Sequence, residues 1–282
     1  MPEANSGTAP ISNSDSSVLI ERSESIATIR LNGPERSNAM DGATLDALGS
    51  AIKSAGDDDD VRVVIITGSG ESFCAGADTD EMLDGSSPGL HALGDAGTEG
   101  LRRRCKNAQR VILGIHKMEK PTIAMVDGPT VGAGFDIACA CDFRTGSTTA
   151  RFMSAFVRIG LFPGYGGTWL YPRLLGLGRA AELLSPGDFL QAEEAYNAGF
   201  LNRLEAPEDL EDVTMEMAGK IAAGLPIPHR MAKMMMYRGL EMDLHTAIQM
   251  AAAAESITLS SADHAEGLAA ARERRKPEYR GA

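Results

Sequence analysis

Two short, almost wholly apolar runs constrain the fold of this chain more than any other feature. VRVVIITG (61–68) and PTIAMVDG (121–128) have the composition of strands that are buried on both faces of a sheet. A stretch with helical patterning, at about 100–118, lies between them. Because strands that alternate with helices pair side by side through crossover connections, this order predicts a parallel sheet with crossover helices.

Ahead of these runs, the sequence predicts two strands and one helix. The segment SVLIERSESIATIRLNG contains two β-like runs, about 17–22 and 25–31, which a polar turn separates. A helix is predicted for about 42–55, with Asp41 as its N-cap and Gly56 at its end.

The chain divides into an α/β part and a helical part, because the patterns beyond about residue 166 are helical almost throughout. We predict a disordered tail at 1–16, an α/β core at 17–205 and a helical C-terminal region at 206–282. A Gly- and Ser-rich segment, 85–100, is predicted to be a flexible insertion in the core.

The charge balance excludes some classes of partner. The formal net charge is −12, so nucleic acid and anionic membrane surfaces would repel the chain. The first residues lack a basic stretch followed by an apolar one, and no run of about 18 apolar residues occurs. We therefore expect a cytoplasmic protein with neither nucleic acid nor membrane as a partner.

No metal site is predicted. The four cysteines, Cys74, Cys105, Cys139 and Cys141, form no CxxC pair, and the CxC of the last two is weaker than the zinc signatures. Reduced, buried thiols are therefore expected. The acidic run DDDD (57–60) is typical of a solvated turn between a helix and a strand.

Two turns share one pattern, in which small residues stand where a predicted strand ends and a predicted helix begins. They are Ala75-Gly76-Ala77 after the first apolar run and Gly132-Ala133-Gly134 after the second. Ligands of parallel sheets bind beyond the carboxyl ends of the strands. Because the first N–H groups of a helix have no partner within the helix, two such turns offer two N–H groups to one oxygen, as an oxyanion hole does.

Two phosphate-binding signatures are alternative interpretations of the glycines, and both are incomplete here. Gly132-Ala133-Gly134 begins a GxGxxG dinucleotide signature, but the third glycine would fall at Ile137. FPGYGGTW lacks the Lys-Ser/Thr of a phosphate-binding P-loop. A purely structural role in tight turns remains open on spacing alone.

Six segments, taken in order, resemble the enoyl-CoA hydratase/isomerase (crotonase) superfamily. The similarity covers about residues 17–279 and is carried by NGPERSNAMD, VVIITGSGESFCAGAD, KPTIAMVDGPTVGAGFDIACACDFR, IGLFPGYGGTWLYPRLLG, AEEAYNAGFLNRL and DHAEGLAAARERRKPEY. The resemblance implies an α/β fold with a crotonase-like spiral ββα core and a helical C-terminal trimerisation region. It further implies a homotrimer or dimer of trimers, an acyl-CoA thioester as ligand, and no cofactor besides the coenzyme A of the substrate.

The resemblance also assigns roles to single residues. The backbone N–H groups of Ala77 and Ala133 would hold the thioester carbonyl, and Asp136 would be the catalytic acid or base. Arg36 is a candidate phosphate contact. The substrate-binding residues implied in this way are Arg36, Ser37, Ala39, Ala75, Asp78, Gly132, Gly134, Phe156 and Tyr165.

The sequence departs from the family pattern at its acidic positions. Family hydratases carry two glutamates around a water molecule. Here Asp136 stands at the first position and Phe156 at the second, and a third acidic position used by some isomerases of the family holds Gly164. An apolar pocket around Phe156 is expected to raise the pKa of Asp136 by desolvation.

This single acid favours isomerase-type proton transfer over two-glutamate hydration, because one carboxylate suffices to shuttle a proton between two carbons. Alternatives are a hydratase acting on an alicyclic or aromatic-derived CoA ester, a catalytically degenerate acyl-CoA-binding protein, and a scaffold that retains only the trimer. Asp136 also has a structural interpretation as a helix N-terminal residue stabilised by the helix dipole. Weaker functional candidates are Tyr165, His116 and His91, and Asp142 is expected to be structural.

Overall fold

The computed structural model describes residues 16–80 and 97–281. The strands are β1 (Val18–Ser23), β2 (Ile26–Leu31), β3 (Val63–Gly68), β4 (Thr122–Val126), β5 (Pro129–Val131), β6 (Phe143–Ser147), β7 (Arg151–Met153), β8 (Leu190–Gln191) and β9 (Arg203–Glu205). Residues 1–15 of the predicted tail and 85–96 of the predicted insertion, including His91, lie outside the described residues. The prediction of a flexible insertion is wrong for 97–100, which are helical.

Helices make up most of the second half. They are α1 (Gly42–Asp57), α2 (Gly97–Lys117), α3 (Ala133–Ala140), α4 (Gly167–Leu184), α5 (Ala192–Asn197), α6 (Leu210–Ala222), α7 (Pro226–Gly239), α8 (Leu244–Leu259) and α9 (Ala262–Glu273). Short 3-10 helices cover Pro34–Arg36 and Ala155–Ile159.

The main sheet has six strands in the order β1-β2-β3-β4-β6-β9, and β5-β7-β8 form a smaller sheet. β1 and β2 are antiparallel, whereas β2, β3, β4, β6 and β9 run parallel to one another. The predicted parallel arrangement of the two apolar runs is therefore confirmed. Since β3 and β4 are neighbours, their carboxyl ends lie at the same edge of the sheet.

Both faces of the central strands are covered, as their composition predicts. Val64 and Ile66 belong to the larger core, which lies under α1, α2, α3 and α4. Val63 and Ile65 belong to a second cluster on the opposite face, where α6 packs. Because α6 follows residue 205, helices from the C-terminal region help to bury the sheet. The division at 205/206 itself stays a prediction.

One predicted helix limit differs from the structure. Asp41 caps α1 as expected, with Oδ1 accepting a hydrogen bond from Thr44 N at 2.7 Å, but the prediction that Gly56 ends the helix is wrong. The helix continues to Asp57, because Asp58 N still donates to Ser54 O at 3.1 Å. The two helical segments predicted for this region lie within α4 on either side of Gly176, whose non-helical backbone (φ 77°, ψ 162°) separates them by a kink.

The cysteines are free thiols, and three are buried as predicted: Cys74, Cys139 and Cys141. The expectation for Cys105 is wrong, because this side chain is exposed. It lies in the first half of α2, and among the described side chains of this helix burial begins only at Ala108. No helix in the described ranges is both long and apolar enough to span a membrane.

A buried ion pair attaches α7 to the start of β4. Asp142 Oδ2 lies 2.6 Å from Lys233 Nζ and accepts hydrogen bonds from Thr122 N at 2.8 Å and Oγ1 at 2.9 Å. Asp142 Oδ1 accepts one from the Tyr237 hydroxyl at 2.9 Å. Lys233 also donates to Lys120 O at 2.9 Å. With every polar atom of the pair bonded, Asp142 has a structural environment, in agreement with its predicted role.

We expect Lys233→Ala to lower the free energy of unfolding by about 3 kcal/mol, because it leaves Asp142 buried without its counter-ion. The exposed pair of Arg238 and Glu241, at 4.0 Å in the same region, provides the control. Arg238→Ala should cost less than about 1 kcal/mol. Urea denaturation of both variants measures the difference, and equal losses would contradict the assignment of a buried anchor.

Candidate functional site

The turns after β3 and β4 lie side by side. Cys74 and Thr130 form a parallel bridge, in which Cys74 N donates to Pro129 O at 3.3 Å and Val131 N donates to Cys74 O at 2.9 Å. The two small-residue clusters of the sequence are thereby brought together at one edge of the sheet.

Only glycine permits this close approach at two positions. A Cβ atom on Gly134 would lie 2.6 Å from both Cβ and the carbonyl oxygen of Cys74. A Cβ atom on Gly76, whose φ is +93°, would lie 2.8 Å from Val131 O and 3.5 Å from Ala133 N. Both distances to backbone oxygen are shorter than a van der Waals contact, so a side chain at either position would separate the turns.

Each turn leaves at least one N–H group without a partner among the described residues. Gly76 O accepts from Met40 N at 2.8 Å, so the N–H of Ala77 in the same trans peptide points away from Met40. Gly132 O accepts from Asp136 N at 3.0 Å, so the N–H of Ala133 points out of the helix N-terminus. Within the described part of the chain, neither N–H donates a hydrogen bond.

The segment around Arg36 forms a wall beside the first turn. Ala75 N donates to Ser37 O at 2.9 Å, and Ala39 N donates to Arg36 O at 3.0 Å. The buried amide of Asn38 fixes this segment, since its Oδ1 accepts from Gly33 N at 2.9 Å. Its Nδ2 donates to the carbonyls of Ser69 and Ser72 at 2.9 and 2.7 Å. Asn38 was not among the predicted site residues, although a turn asparagine between small residues is a weak signal for such a role.

Arg36 is not an isolated cation. Its guanidinium forms an ion pair with Asp78, whose side chain is only 5% exposed, whereas that of Arg36 is 47% exposed. The predicted phosphate contact would therefore involve a guanidinium that a carboxylate already orients. The binding roles of Arg36, Ser37, Ala39, Ala75 and Asp78 stay predictions.

Asp136 lies in the first turn of α3 and is fully buried. Its Oδ1 accepts a hydrogen bond from the Tyr171 hydroxyl at 2.5 Å, and its Oδ2 has no hydrogen-bond partner among the described residues. Burial raises the pKa of Asp136 to about 7, and the hydrogen bond from Tyr171 opposes that rise. The carboxyl group is therefore able to exist in both protonation states near neutral pH.

Tyr171 was missed by the sequence analysis. It projects from α4, is fully buried, and stacks on Phe135 at 4.6 Å between ring centroids. The sequence gives little indication of a functional role, because a tyrosine within the apolar pattern GGTWLYPR is typical of a core residue. Its contact with Asp136 arises from the packing of α3 against α4, which no local pattern encodes.

Phe156 lies beside the second turn. A Cβ atom on Gly132 would be 3.8 Å from Phe156 Cζ, and the ring stacks with Tyr165 at 6.0 Å between centroids. Phe156 is 7% exposed. Gly164 contributes no side chain, and its carbonyl accepts a hydrogen bond from Gln109 Nε2 at 3.2 Å. The Phe156 and Tyr165 rings thus give this side of the site an apolar wall.

The remaining candidate, His116, belongs to another environment. Its ring packs edge-on against Trp169 at 5.3 Å and Tyr237 at 4.5 Å. Desolvation lowers the pKa of His116, and the charge of Lys233 lowers it further. Among the residues that the structure describes, no group of three or more His, Cys, Asp or Glu side chains is placed to hold a metal ion.

Comparison with known proteins gives matches along nearly the whole chain. The family model for enoyl-CoA hydratase/isomerase matches residues 21–282. A crotonyl-CoA hydratase from Syntrophomonas wolfei is 34% identical over 93% of this chain and 97% of its own. A 1,2-epoxyphenylacetyl-CoA isomerase from Escherichia coli is 30% identical over 94% of this chain and 98% of its own.

The fold is matched by solved structures. An enoyl-CoA hydratase from Bacillus anthracis superposes with a TM-score of 0.87 at 32% identity, covering 95% of this chain and all of that one. The predicted fold class, α/β with a crotonase-like core, is confirmed. The roles predicted for single residues are not decided by these similarities.

The raised pKa of Asp136 predicts a pH-dependent cost to stability. An ordinary aspartic acid has a pKa of 3.8, so between this value and about 7 the folded chain binds the proton that the unfolded chain has lost. The contribution of Asp136 to stability is therefore fully present below pH 3.8 and is lost as the pH rises through about 7. Asp136→Asn should gain stability relative to the wild type between about pH 5 and about pH 8.

Chemical denaturation at both pH values tests this expectation. Asp41→Asn is the control, because the hydrogen bond from Thr44 N lowers the pKa of Asp41, so Asp41 is ionised in the folded and unfolded chain throughout this range. Its stability difference from the wild type should not change with pH. A difference for Asp136→Asn that is equally constant would show that Asp136 does not titrate near neutrality.

Proposed function

Because the chain belongs to the enoyl-CoA hydratase/isomerase family of enzymes, we propose that it transfers a proton within an acyl-CoA thioester held at the two turns. One observation carries this proposal. Two neighbouring turns each leave an N–H group without a partner within the described residues, and the helix that begins at one of them carries a buried aspartic acid with a pKa near neutrality.

In the proposed reaction, the thioester carbonyl accepts hydrogen bonds from the N–H groups of Ala77 and Ala133. Removal of a proton from the neighbouring carbon moves negative charge onto that oxygen as an enolate forms. Donors that are already oriented stabilise this charge more than they stabilise the neutral substrate, and losing one typically costs about 3 kcal/mol of barrier lowering.

Asp136 is the proposed proton carrier. Its ionised form removes a proton from one carbon of the acyl chain, and its protonated form returns the proton to another carbon while the double bond moves. A carboxyl group with a pKa of about 7 serves both steps, because both forms are present at the operating pH. The bonds broken and formed balance without water or a cofactor, since the coenzyme A belongs to the substrate.

Phe156 favours this isomerase-type transfer over hydration. Its ring provides no acid or base beside the second turn, where water addition would use a second group. Hydration is the second candidate, because one relative of this chain is named a crotonyl-CoA hydratase. Asp136 acting twice would then activate the water and protonate the carbon. The apolar wall of Phe156 and Tyr165 supports a substrate with an apolar, unsaturated or ring-containing acyl group.

Solvent deuterium exchange separates these candidates. We expect the wild type to exchange α- or γ-protons of unsaturated acyl-CoA esters and to hydrate crotonyl-CoA slowly. Asp136→Asn keeps the shape of the side chain but removes the base, so exchange should fall by roughly 10²–10⁴-fold. Asp46→Asn, on the exposed face of α1, is the control and should exchange like the wild type.

Each other outcome selects a different function. Fast hydration of crotonyl-CoA by the wild type would select the hydratase. Tight binding of CoA esters without exchange or hydration would select an acyl-CoA-binding protein, and no binding at all would select a scaffold. Exchange that persists in Asp136→Asn would remove Asp136 from the reaction.

We also propose that the chain assembles as a homotrimer or dimer of trimers through its C-terminal helices. Large apolar side chains are exposed along α7, α8 and α9, which is more apolar surface than an isolated subunit normally leaves in water. They are Met234, Met236, Leu244, Ile248, Met250, Ile257, Leu259 and Leu268, and Leu240 lies between α7 and α8.

Sedimentation should therefore give three or six times the chain mass of 29.8 kDa. Leu244 and Ile248 are 75% and 59% exposed and lie one turn apart on α8. The double substitution Leu244→Glu and Ile248→Glu should produce smaller species. Lys53→Glu, at an exposed position on α1 outside these helices, is a charge-changing control. A monomeric wild type at micromolar concentration would contradict the proposed assembly.

A further inference from the structure

We propose that Tyr171 is a positioning residue for Asp136. The Tyr171 hydroxyl donates a hydrogen bond to one carboxylate oxygen of Asp136, so that only the other oxygen exchanges the substrate proton. The inference rests on the proposed function, since it assigns a role to a residue that acts through the proposed proton carrier. Nothing in the similarity to known proteins assigns a role to Tyr171.

The two oxygens of Asp136 have different environments. Oδ1 accepts the hydrogen bond from the Tyr171 hydroxyl at 2.5 Å, while Oδ2 is buried without a partner in the described part of the chain. A buried carboxylate oxygen without a hydrogen bond costs free energy, so such an atom is expected to meet a ligand or a proton at some stage of function. The asymmetry therefore points to Oδ2 as the atom that exchanges the proton.

The Tyr171 ring is held in place by packing rather than by the hydrogen bond alone. Phe135 stacks on it at 4.6 Å with an interplanar angle of 22°. Gly167, one turn earlier on α4, allows the close approach, because a Cβ atom there would lie 2.7 Å from Tyr171 Cζ and 2.8 Å from Asp136 Oδ1. A donor fixed in this way orients the carboxyl group without having to be ordered when substrate binds.

The hydrogen bond from Tyr171 also limits the rise in the pKa of Asp136, so that the carboxyl group can lose its proton near neutral pH. Burial raises the pKa of Asp136, and donation from Tyr171 to the charged form acts in the opposite direction. Without this donor, burial would act alone, and a larger fraction of Asp136 would be protonated at neutral pH. A base that is protonated at the operating pH cannot remove a proton from the substrate.

Tyr171 itself is not suited to be the proton carrier. Its pKa is raised well above that of an ordinary tyrosine, first by burial and then by the negative charge of Asp136, so its hydroxyl stays protonated and acts as a donor. Ser154 has a buried hydroxyl without a hydrogen-bond partner among the described residues, and it lies close enough to the Tyr171 hydroxyl to lower the pKa of that group. The Tyr171 hydroxyl is thus directed at Asp136, away from bulk solvent.

The test compares Tyr171→Phe with the wild type in the full-length protein. Loss of the hydroxyl should move the acidic limb of the pH profile of deuterium exchange upward by about one pH unit. The exchange kcat near neutral pH should then fall by up to about tenfold while KM changes little. A carbon-13 NMR titration of the Asp136 carboxyl, identified by its absence in Asp136→Asn, should show the same upward movement without requiring activity.

A matched control is present in the same fold. Tyr237 donates to another buried aspartate, Asp142, at 2.9 Å, but it has no contact with Asp136. Tyr237→Phe removes an equivalent hydroxyl and should leave both the pH profile and the Asp136 titration unchanged. Placing 3-fluorotyrosine at Tyr171 retains the ring and strengthens the donor, so the limb should move downward even if the phenylalanine variant folds poorly.

The outcomes separate this inference from the proposed function. If neither Tyr171 change moves the limb or the titration while Asp136→Asn abolishes exchange, Tyr171 does not position Asp136, and the proposed function stands. If Asp136→Asn exchanges normally but the carboxyl titration moves as expected, the pairing is real and the proposed reaction is wrong. A loss of kcat in Tyr171→Phe with an unmoved limb would assign Tyr171 a merely structural role and overturn the inference.

Discussion

The site depends on one contact between backbones, that of the turn at Cys74 with the turn that begins α3. Two glycines make it possible, since Gly134 lies against Cys74 and Gly76 lies against Val131 with no room for a Cβ atom. The strands that carry these turns are neighbours in the sheet and are buried on both faces. The packed core therefore holds in place the two peptide groups that carry the N–H of Ala77 and of Ala133, which would be more mobile in ordinary loops.

A second constraint is the cost of burying a carboxyl group. Asp136 is surrounded by apolar side chains and backbone, so its charged form is disfavoured, and a single donor offsets part of that cost. Donors to both oxygens would favour the ionised form further, and loss of the single donor would favour the protonated form. The structure lies between these limits, which is the condition that proton transfer near neutral pH requires.

Sequence patterns predicted the features that arise locally. The apolar runs of β3 and β4, the cap at Asp41 and the paired turns all follow from the composition of a few consecutive residues. Tyr171 and Asp136 are 35 positions apart on two helices, and their contact depends on how those helices pack. The prediction that Cys105 is buried was wrong, because its helix extends beyond the core. Composition does not indicate at which residue a helix leaves the core. The anchor of Lys233 on Asp142 is long-range in the same way.

The N–H groups of Ala77 and Ala133 have no hydrogen-bond partner among the described residues. Both belong to the main chain, and this has a consequence for how the site varies during evolution. Every encoded residue except proline supplies the same donor, so the donor does not depend on which side chain stands at these two positions. Ala133 is only 2% exposed, so packing still limits the size of its side chain. The neighbouring glycines determine where the main chain runs. A comparison that scores residue identity therefore detects the glycines that hold the main chain in place, but it does not detect the donors at Ala77 and Ala133.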